Sequence, residues 1–131
     1  MTNTKSLIVI VDDDPETAEM LAEMVRIMDF GVVTVRNGAQ AINMIVETHP
    51  SLVLLDWKMP GISGLDVMRF IQKDSILARI PVIMVSAKAS PEDIAGGYDA
   101  GVASYLIKPV GFEELQKAIN AVINLRTDFE G

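Results

Sequence analysis

Five short, largely apolar runs alternate with five amphipathic helical patterns, and this alternation restricts the fold more than any other feature of the chain. The runs lie at 7–11, 32–35, 52–55, 82–85 and 103–107. Apolar runs of this length, rich in β-branched side chains, are typical of strands buried on both faces. Strands that alternate with helices form a parallel sheet covered by helices on both sides. We therefore predict a three-layer, doubly wound α/β domain with five strands and five helices.

Helix-start signals stand between the apolar runs. Pro15 fits the first position of a helix, because its missing N–H would be unpaired there, and Asp13 or Asp14 is expected to cap that helix. Ser90 opens the fourth helix with the spacing of a capping box. The glycine pair 96–97 lies inside this helix, and each glycine costs about 1 kcal/mol relative to alanine. We expect the fourth helix to be the least stable of the five.

Length, charge and cysteine content narrow the class of protein. The 131 residues predict one domain, with a core of about 5–125 and a polar tail at 126–131. A net charge of −7 opposes direct binding to nucleic acid or to anionic lipid. The absence of cysteine excludes disulfides and thiolate metal sites. No apolar run approaches the ~20 residues that span a bilayer, and no signal-peptide core is evident, so we expect a cytoplasmic protein without membrane insertion.

Polar residues stand at the carboxyl ends of four of the five predicted strands. In chain order they are Asp12-Asp13-Asp14, Asp56, Ser86 and Lys108. In open parallel sheets, ligands bind beyond the carboxyl ends of the strands, where the winding direction reverses. We therefore expect these side chains to converge at one edge of the sheet.

Such a group of side chains could bind a metal ion and a phosphoryl group. Grouped carboxylates repel one another, and some would be protonated unless a cation joined them. Oxygen ligands without histidine or thiolate suit Mg²⁺, with Mn²⁺ as the alternative. Lys108 adds an ammonium and Ser86 adds a hydroxyl donor, so the edge could bind a phosphoryl group. Asp56 is then the candidate nucleophile, which would form an aspartyl phosphate.

Each of these residues also has an ordinary structural explanation when it is taken alone. Asp14, directly before Pro15, is most simply a helix cap. Ser86 alone would be a loop serine, and Lys108 alone would be a solvated lysine. His49, the single histidine, precedes a proline at a helix end and is interpreted as structural. The combination at matching strand ends favours a functional site.

Four motifs combine these residues in a specific pattern. They are I-V-D-D-D-P at 10–15, L-L-D-W-K-M-P-G at 54–61, V-S-A at 85–87 and Y-L-I-K-P at 105–109. Each motif is weak alone, but together, in this order and spacing, they resemble the receiver domain of bacterial two-component response regulators. The resemblance covers roughly residues 5–125. It implies the flavodoxin-like strand order 2-1-3-4-5, which the strand signals alone leave open.

The resemblance implies a phosphoacceptor and a metal site. Asp56 matches the aspartate that carries the phosphoryl group. Asp12 and Asp13 match the acidic pair that holds Mg²⁺ together with Asp56 and the backbone carbonyl of Lys58.

The resemblance also implies a switch. Ser86 and Lys108 would each bond a phosphoryl oxygen, and the Lys108–Pro109 peptide bond is expected to be cis. Tyr105 resembles the switch aromatic, which points inward when Ser86 is drawn to the phosphoryl group. An aromatic residue of the core is an equally good interpretation of Tyr105.

Two further lysines occupy positions that vary within the family and that tune hydrolysis of the acyl phosphate. They are Lys58, two residues after Asp56, and Lys88, two residues after Ser86. Their long cationic side chains either shield the phosphoryl group from water or are simply solvated. We favour shielding and a long-lived phosphorylated state.

The function implied by the resemblance is a regulatory switch and not an enzyme. A sensor histidine kinase or a histidine phosphotransfer protein would phosphorylate Asp56. A downstream effector would bind the face formed by the fourth helix, the fifth strand and the fifth helix. The chain would be a stand-alone receiver or part of a larger regulator.

Three alternatives stay open. A haloacid-dehalogenase-type phosphatase uses a D-x-D pattern, which Asp12 and Asp14 satisfy, and labelling of Asp12 instead of Asp56 would identify it. A pseudo-receiver would bind partners without accepting phosphate, although the intact acidic site argues against this. A flavodoxin-like flavin carrier is disfavoured, because its phosphate loop would be rich in glycine and hydroxyl groups.

Overall fold

Strands and helices alternate along the whole described chain. The computed structural model describes the backbone of residues 5–130 and the side chains of residues 5–123. In chain order the elements are β1 (Leu7–Val11), α1 (Pro15–Ile27), β2 (Gly31–Val35), α2 (Gly38–Thr48), β3 (Leu52–Leu55), α3 (Gly64–Lys73), a 3-10 turn (Leu77–Arg79), β4 (Val82–Ser86), α4 (Pro91–Ala100), β5 (Ser104–Ile107) and α5 (Phe112–Glu130). The predicted five strands and five helices are confirmed.

The five strands form one parallel sheet in the order β2-β1-β3-β4-β5, as the resemblance implied. The winding direction reverses between β1 and β3, which is where such sheets bind ligands. Val11 at the end of β1 pairs in register with Leu55 at the end of β3. The next residues along each strand, Asp12 and Asp56, are therefore neighbours.

Backbone hydrogen bonds continue one residue past the ends of three strands. The N–H groups of Asp12, Asp56 and Lys108 donate to carbonyl oxygens of the adjacent strands, at 3.1, 2.9 and 2.9 Å respectively. The main chain at these three positions is thus held by the sheet and not by a loop. Their side chains start from rigidly placed backbone.

Two apolar clusters fill the space on the two faces of the sheet. Because side chains alternate along a strand, Val9 and Val11 of β1 face one cluster and Ile8 and Ile10 face the other. Helices α2, α3 and part of α4 cover the first face, and α1 and α5 cover the second. This two-sided burial explains why the strands are continuous apolar runs. In the part of the chain that the structure describes, no helix is both long and apolar enough to cross a bilayer.

Three local details differ from the sequence predictions. Asp14 occupies the N-cap position of α1, but the well-formed hydrogen bond of its carboxylate comes from the Thr17 hydroxyl, at 2.6 Å, and not from a backbone N–H. The 3-10 turn before β4 was not predicted. Helix α5 continues to Glu130, so the backbone of residues 126–130 is helical where a tail was predicted. The side chains of that segment, and residue 131, lie outside the described residues.

His49 ends helix α2. It adopts a left-handed conformation with φ of 45°, and its N–H donates to the carbonyl of Ile45 at 2.9 Å. Its place at a helix end agrees with the structural interpretation.

The two glycines of α4 lie against aromatic rings of other elements. A Cβ atom at Gly97 would lie 2.7 Å from Cδ2 of Tyr105, and one at Gly96 would lie 3.1 Å from Cη2 of Trp57. Both distances are shorter than ordinary van der Waals contact. The absence of side chains at these two positions leaves the space that the two rings occupy. This packing explains the glycine pair, which helix propensity alone does not.

The Gly97→Ala variant is expected to be less stable than the wild type, although alanine is the better helix former. The propensity gain is about 1 kcal/mol, but overpacking against the Tyr105 ring costs about 1–3 kcal/mol. Gly96→Ala is the matched control, since it has the same gain and a looser contact with the tip of Trp57. Urea denaturation of all three proteins measures the difference. A Gly97→Ala protein more stable than the wild type would contradict the packing argument.

Candidate functional site

Three carboxylates meet at the carboxyl edge of the sheet. Asp12, Asp13 and Asp56 each offer an oxygen atom, and these atoms all lie within 4.8 Å of one another. Asp12 and Asp56 are only 1% and 6% exposed, whereas Asp13 is exposed to solvent. The predicted convergence of the first and third strand ends is therefore present.

The ammonium of Lys108 lies between the two buried carboxylates. Its Nζ atom is 2.8 Å from Oδ2 of Asp12 and 3.3 Å from Oδ2 of Asp56. The peptide bond from Lys108 to Pro109, which leads out of the site, is cis. One ammonium thus serves two carboxylates, while Asp13 stands beside them without it. The cluster carries an excess of negative charge.

The buried charges perturb one another. Burial raises the pKa of Asp56, attraction by Lys108 opposes the rise, and repulsion from Asp12 adds to it. Burial alone would lower the pKa of Lys108, but the hydrogen bond to Asp12 and the attraction of Asp56 outweigh it, so this pKa is raised. Asp56 would therefore gain from a further positive charge, and Lys108 stays protonated at neutral pH.

Backbone N–H groups hold the remaining carboxylate oxygens. Oδ1 of Asp12 accepts from the N–H of Asp14 at 2.9 Å, and Oδ1 of Asp56 accepts from the N–H of Lys58 at 3.4 Å. Every oxygen of the two buried carboxylates thus has one partner and, with two lone pairs each, retains capacity for another. This oxygen-only donor set with excess negative charge fits a hard divalent cation such as Mg²⁺.

An open cavity of about 500 Å³ lies over the cluster. Its walls combine acidic, basic, hydroxyl and small apolar groups, namely Asp13, Asp56, Lys58, Met59, Pro60, Ser86, Ala87, Lys88 and Lys108. Five predicted site residues, Asp13, Asp56, Lys58, Ser86 and Lys108, belong to this wall. Asp12 and Tyr105 do not, and they connect to it through Lys108 and Lys88 respectively.

Ser86 and Tyr105 are both bonded to the main chain of Lys88. The Ser86 hydroxyl, on a residue only 1% exposed, accepts from the N–H of Lys88 at 3.1 Å. The hydroxyl of Tyr105 donates to the carbonyl of Lys88 at 2.8 Å, and its ring is buried. Burial raises the pKa of Tyr105, with a hydrogen bond from the Ser86 side chain opposing the rise. The predicted switch pair is thus linked through one residue.

Trp57 is a part of this region that the sequence predictions missed. Its ring centroid lies 6.0 Å from that of Tyr105, at an interplanar angle of 58°. The Nζ atom of Lys88 lies 5.8 Å from the Trp57 ring centroid, within the range of a cation–π contact. These partners are distant in the chain, so no local pattern marks Trp57.

The strand order and the acidic cluster at the reversal of winding define a flavodoxin-like α/β domain with an acidic pocket beyond the carboxyl ends of its strands. Within that class, the chain belongs to the response regulator receiver domain family, whose model matches residues 8–120. Domains of this family are regulatory, are characteristically phosphorylated on an aspartate, and bind Mg²⁺ at an acidic pocket.

Curated relatives support the same assignment. The DNA-binding response regulator MtrA of Mycolicibacterium smegmatis is 35% identical over 128 residues, which cover 98% of this chain and 55% of MtrA. The phosphate regulon transcriptional regulatory protein PhoB of Pseudomonas aeruginosa is 34% identical over 116 residues, which cover 88% of this chain and 51% of PhoB. The chain therefore spans about half the length of these relatives.

A solved structure gives the same fold. The DNA-binding response regulator of the LuxR family from Staphylococcus aureus superimposes with a TM-score of 0.82 at 29% sequence identity. The match covers 90% of this chain and 98% of that one.

Proposed function

We propose that this chain is a single receiver domain that works as a phosphorylation-dependent signalling switch, with Asp56 as the phosphoacceptor. The observation that carries the proposal is the environment of Asp56. It is the one buried carboxylate of the described cluster that also lines the cavity, and Lys108 lies beside it. Asp12 is buried but outside the cavity wall, and Asp13 is exposed and without the ammonium.

Asp12, Asp13 and Asp56, with the backbone carbonyl of Lys58, would hold Mg²⁺ or, as an alternative, Mn²⁺. The excess negative charge of the cluster and its oxygen-only donors support this choice. When bound, the ion would supply positive charge that reduces the repulsion between the carboxylates and a phosphoryl group.

The proposed reaction is a phosphoryl transfer from phosphohistidine. A carboxylate oxygen of Asp56 attacks phosphorus, a P–O bond forms, the P–N bond breaks, and the ring nitrogen keeps the electron pair. Lys108, which already lies beside Asp56, and Ser86, whose hydroxyl turns to the transferred group, bond the phosphoryl oxygens and stabilise their charge. Ala87 is small and leaves the cavity accessible.

The proposed output is a change in binding to a partner protein. When Ser86 turns to a phosphoryl oxygen, it releases the N–H of Lys88, whose carbonyl holds Tyr105. The change therefore reaches β5 and α4, and the effector would bind the face formed by α4, β5 and α5. A sensor histidine kinase or a histidine phosphotransfer protein is the proposed donor, and the proposed location is the cytoplasm. The domain would promote only its own phosphorylation and dephosphorylation.

Binding to DNA is not proposed for this chain. MtrA and PhoB are named as DNA-binding or transcriptional regulators, and this chain corresponds to about half of each. The net charge of −7 opposes contact with the phosphate backbone.

The phosphatase alternative is weakened by the surroundings of its two aspartates. Asp12 would be the nucleophile, but it is 1% exposed and absent from the cavity wall. Asp14 would be the second acid, but its carboxylate is bonded to the hydroxyl of Thr17.

The proposal is tested by incubating the protein with acetyl phosphate and Mg²⁺ and measuring the intact mass. We expect a single phosphoryl adduct that requires Mg²⁺, and borohydride reduction followed by peptide mapping should locate it at Asp56. Labelling of Asp12 would instead support the phosphatase. Absence of any adduct would support the pseudo-receiver and contradict the proposal.

A further inference from the structure

Lys88 contacts three residues, two of which, Tyr105 and Trp57, lie against the glycines of α4. Its N–H donates to Ser86, its carbonyl accepts from Tyr105, and its ammonium lies 5.8 Å from the centre of the Trp57 ring. The same residue belongs to the wall of the cavity that contains Asp56. Lys88 is therefore bonded through its main chain to Ser86 and Tyr105, and through its side chain it contacts Trp57.

The ammonium of Lys108 is neutralised by carboxylates, whereas that of Lys88 is not. Lys108 forms ion pairs with both buried carboxylates. Lys88 forms no ion pair with a carboxylate among residues 5–123, and its ammonium lies over the ring of Trp57. It is a positive charge at the cavity wall that a new anion could attract.

We propose that Lys88 is a second phosphoryl-binding cation, which rests on Trp57 while the cavity holds no phosphoryl group and moves to that group when Asp56 is phosphorylated. The inference rests on the proposed function. A phosphoryl group carries nearly two negative charges at neutral pH. Two negative charges attract an ammonium more strongly than the quadrupole of a partly exposed ring does. The new anion therefore wins the competition for Lys88.

Departure of the ammonium changes how Trp57 is held. The ring retains its contacts with Gly96, Gly97 and Tyr105, but loses its charged partner on the cavity side. The α4 helix rests on this ring through its glycines, so the occupancy of the cavity and the packing of α4 become coupled. This route acts through a side chain and is separate from the hydroxyl pair of Ser86 and Tyr105.

The sole tryptophan of the chain makes the proposal measurable. Beryllium fluoride with Mg²⁺ serves as the mimic of an aspartyl phosphate, and ¹⁹F NMR gives the fraction of protein that carries it. Tryptophan emission is recorded for the wild type, Lys88→Met, Lys88→Arg and, as a matched control, Lys73→Met on the exposed end of α3. Methionine removes the charge but keeps a flexible chain, and arginine keeps the charge.

We expect the emission change per bound mimic to fall at least two-fold in Lys88→Met and to be retained in Lys88→Arg and Lys73→Met. The emission of Lys88→Met should also differ from that of the wild type before the mimic is added. A full wild-type change in Lys88→Met would overturn this inference alone. Failure of the wild type to bind the mimic would overturn both the proposed function and this inference.

Discussion

Replacing Asp56 by asparagine should abolish the phosphoryl adduct completely. The amide nitrogen and oxygen cannot form a stable acyl phosphate, and no other carboxylate of the described cluster is both buried beside Lys108 and open to the cavity. Intact mass spectrometry after acetyl phosphate and Mg²⁺ measures the result. Asp14→Asn is the matched control, because Asp14 lies next to the cluster but outside it, and this variant should be labelled like the wild type. If Asp56→Asn gave the adduct in wild-type yield, the proposal that Asp56 is the phosphoacceptor would be wrong.

The same variant is expected to be more stable than the wild type at neutral pH, which shows that a loss of labelling is not a loss of folding. Burial raises the pKa of Asp56 in the folded state above its ordinary value of 3.8. Between these two values the folded protein binds more protons than the unfolded chain, so the contribution of Asp56 to the unfolding free energy falls as pH rises through that window. Asparagine removes this penalty. In urea denaturation, the unfolding free energy of Asp56→Asn should exceed that of the wild type at pH 7. The difference should disappear below the ordinary pKa of aspartate.

Replacing Lys108 by methionine should slow phosphorylation by acetyl phosphate about 100-fold, which is the usual effect of removing one preorganised donor to a developing charge. Methionine has a similar length and no charge, so the change isolates the ammonium. Quenched-flow or time-resolved mass spectrometry measures the rate.

The affinity for Mg²⁺ gives the second readout for Lys108→Met. The ammonium occupies Oδ2 of both Asp12 and Asp56, so its removal should strengthen Mg²⁺ binding in calorimetry even as transfer slows. Circular dichroism checks the fold, and Lys117→Met on the exposed surface of α5 is the control. A rate within a few-fold of the wild type would remove Lys108 from the proposed chemistry.

The sequence predicted most of the architecture because buried parallel strands leave a local trace. The apolar runs end where the carboxyl edge begins, and Asp12, Asp56 and Lys108 each follow the last strand residue in the structure. The order of the strands leaves no local pattern in the sequence, because it depends on which strands pair. It was predicted only from the resemblance of the four motifs to a known family.

Contacts between distant segments of the chain could not be predicted from local sequence patterns. The glycine pair of α4 was read as a weak stretch of helix, whereas the structure gives it Trp57 and Tyr105 as neighbours. The position of Lys88 over Trp57 likewise brings together residues from the ends of β3 and β4. In both cases packing in three dimensions decided the partner.

The extension of the strand ladder into the site has a consequence for exchange with heavy water. The amide protons of Asp12, Asp56 and Lys108 lie at the rim of the domain, yet each is bonded to a neighbouring strand. They should exchange with deuterium only when the sheet itself opens, whereas the amide proton of Lys88, bonded to a single hydroxyl, should exchange much sooner. The amide protons of the reactive residues should therefore exchange as slowly as those of the hydrophobic core, whereas the amide proton of Lys88, which links Ser86 to Tyr105, should exchange faster.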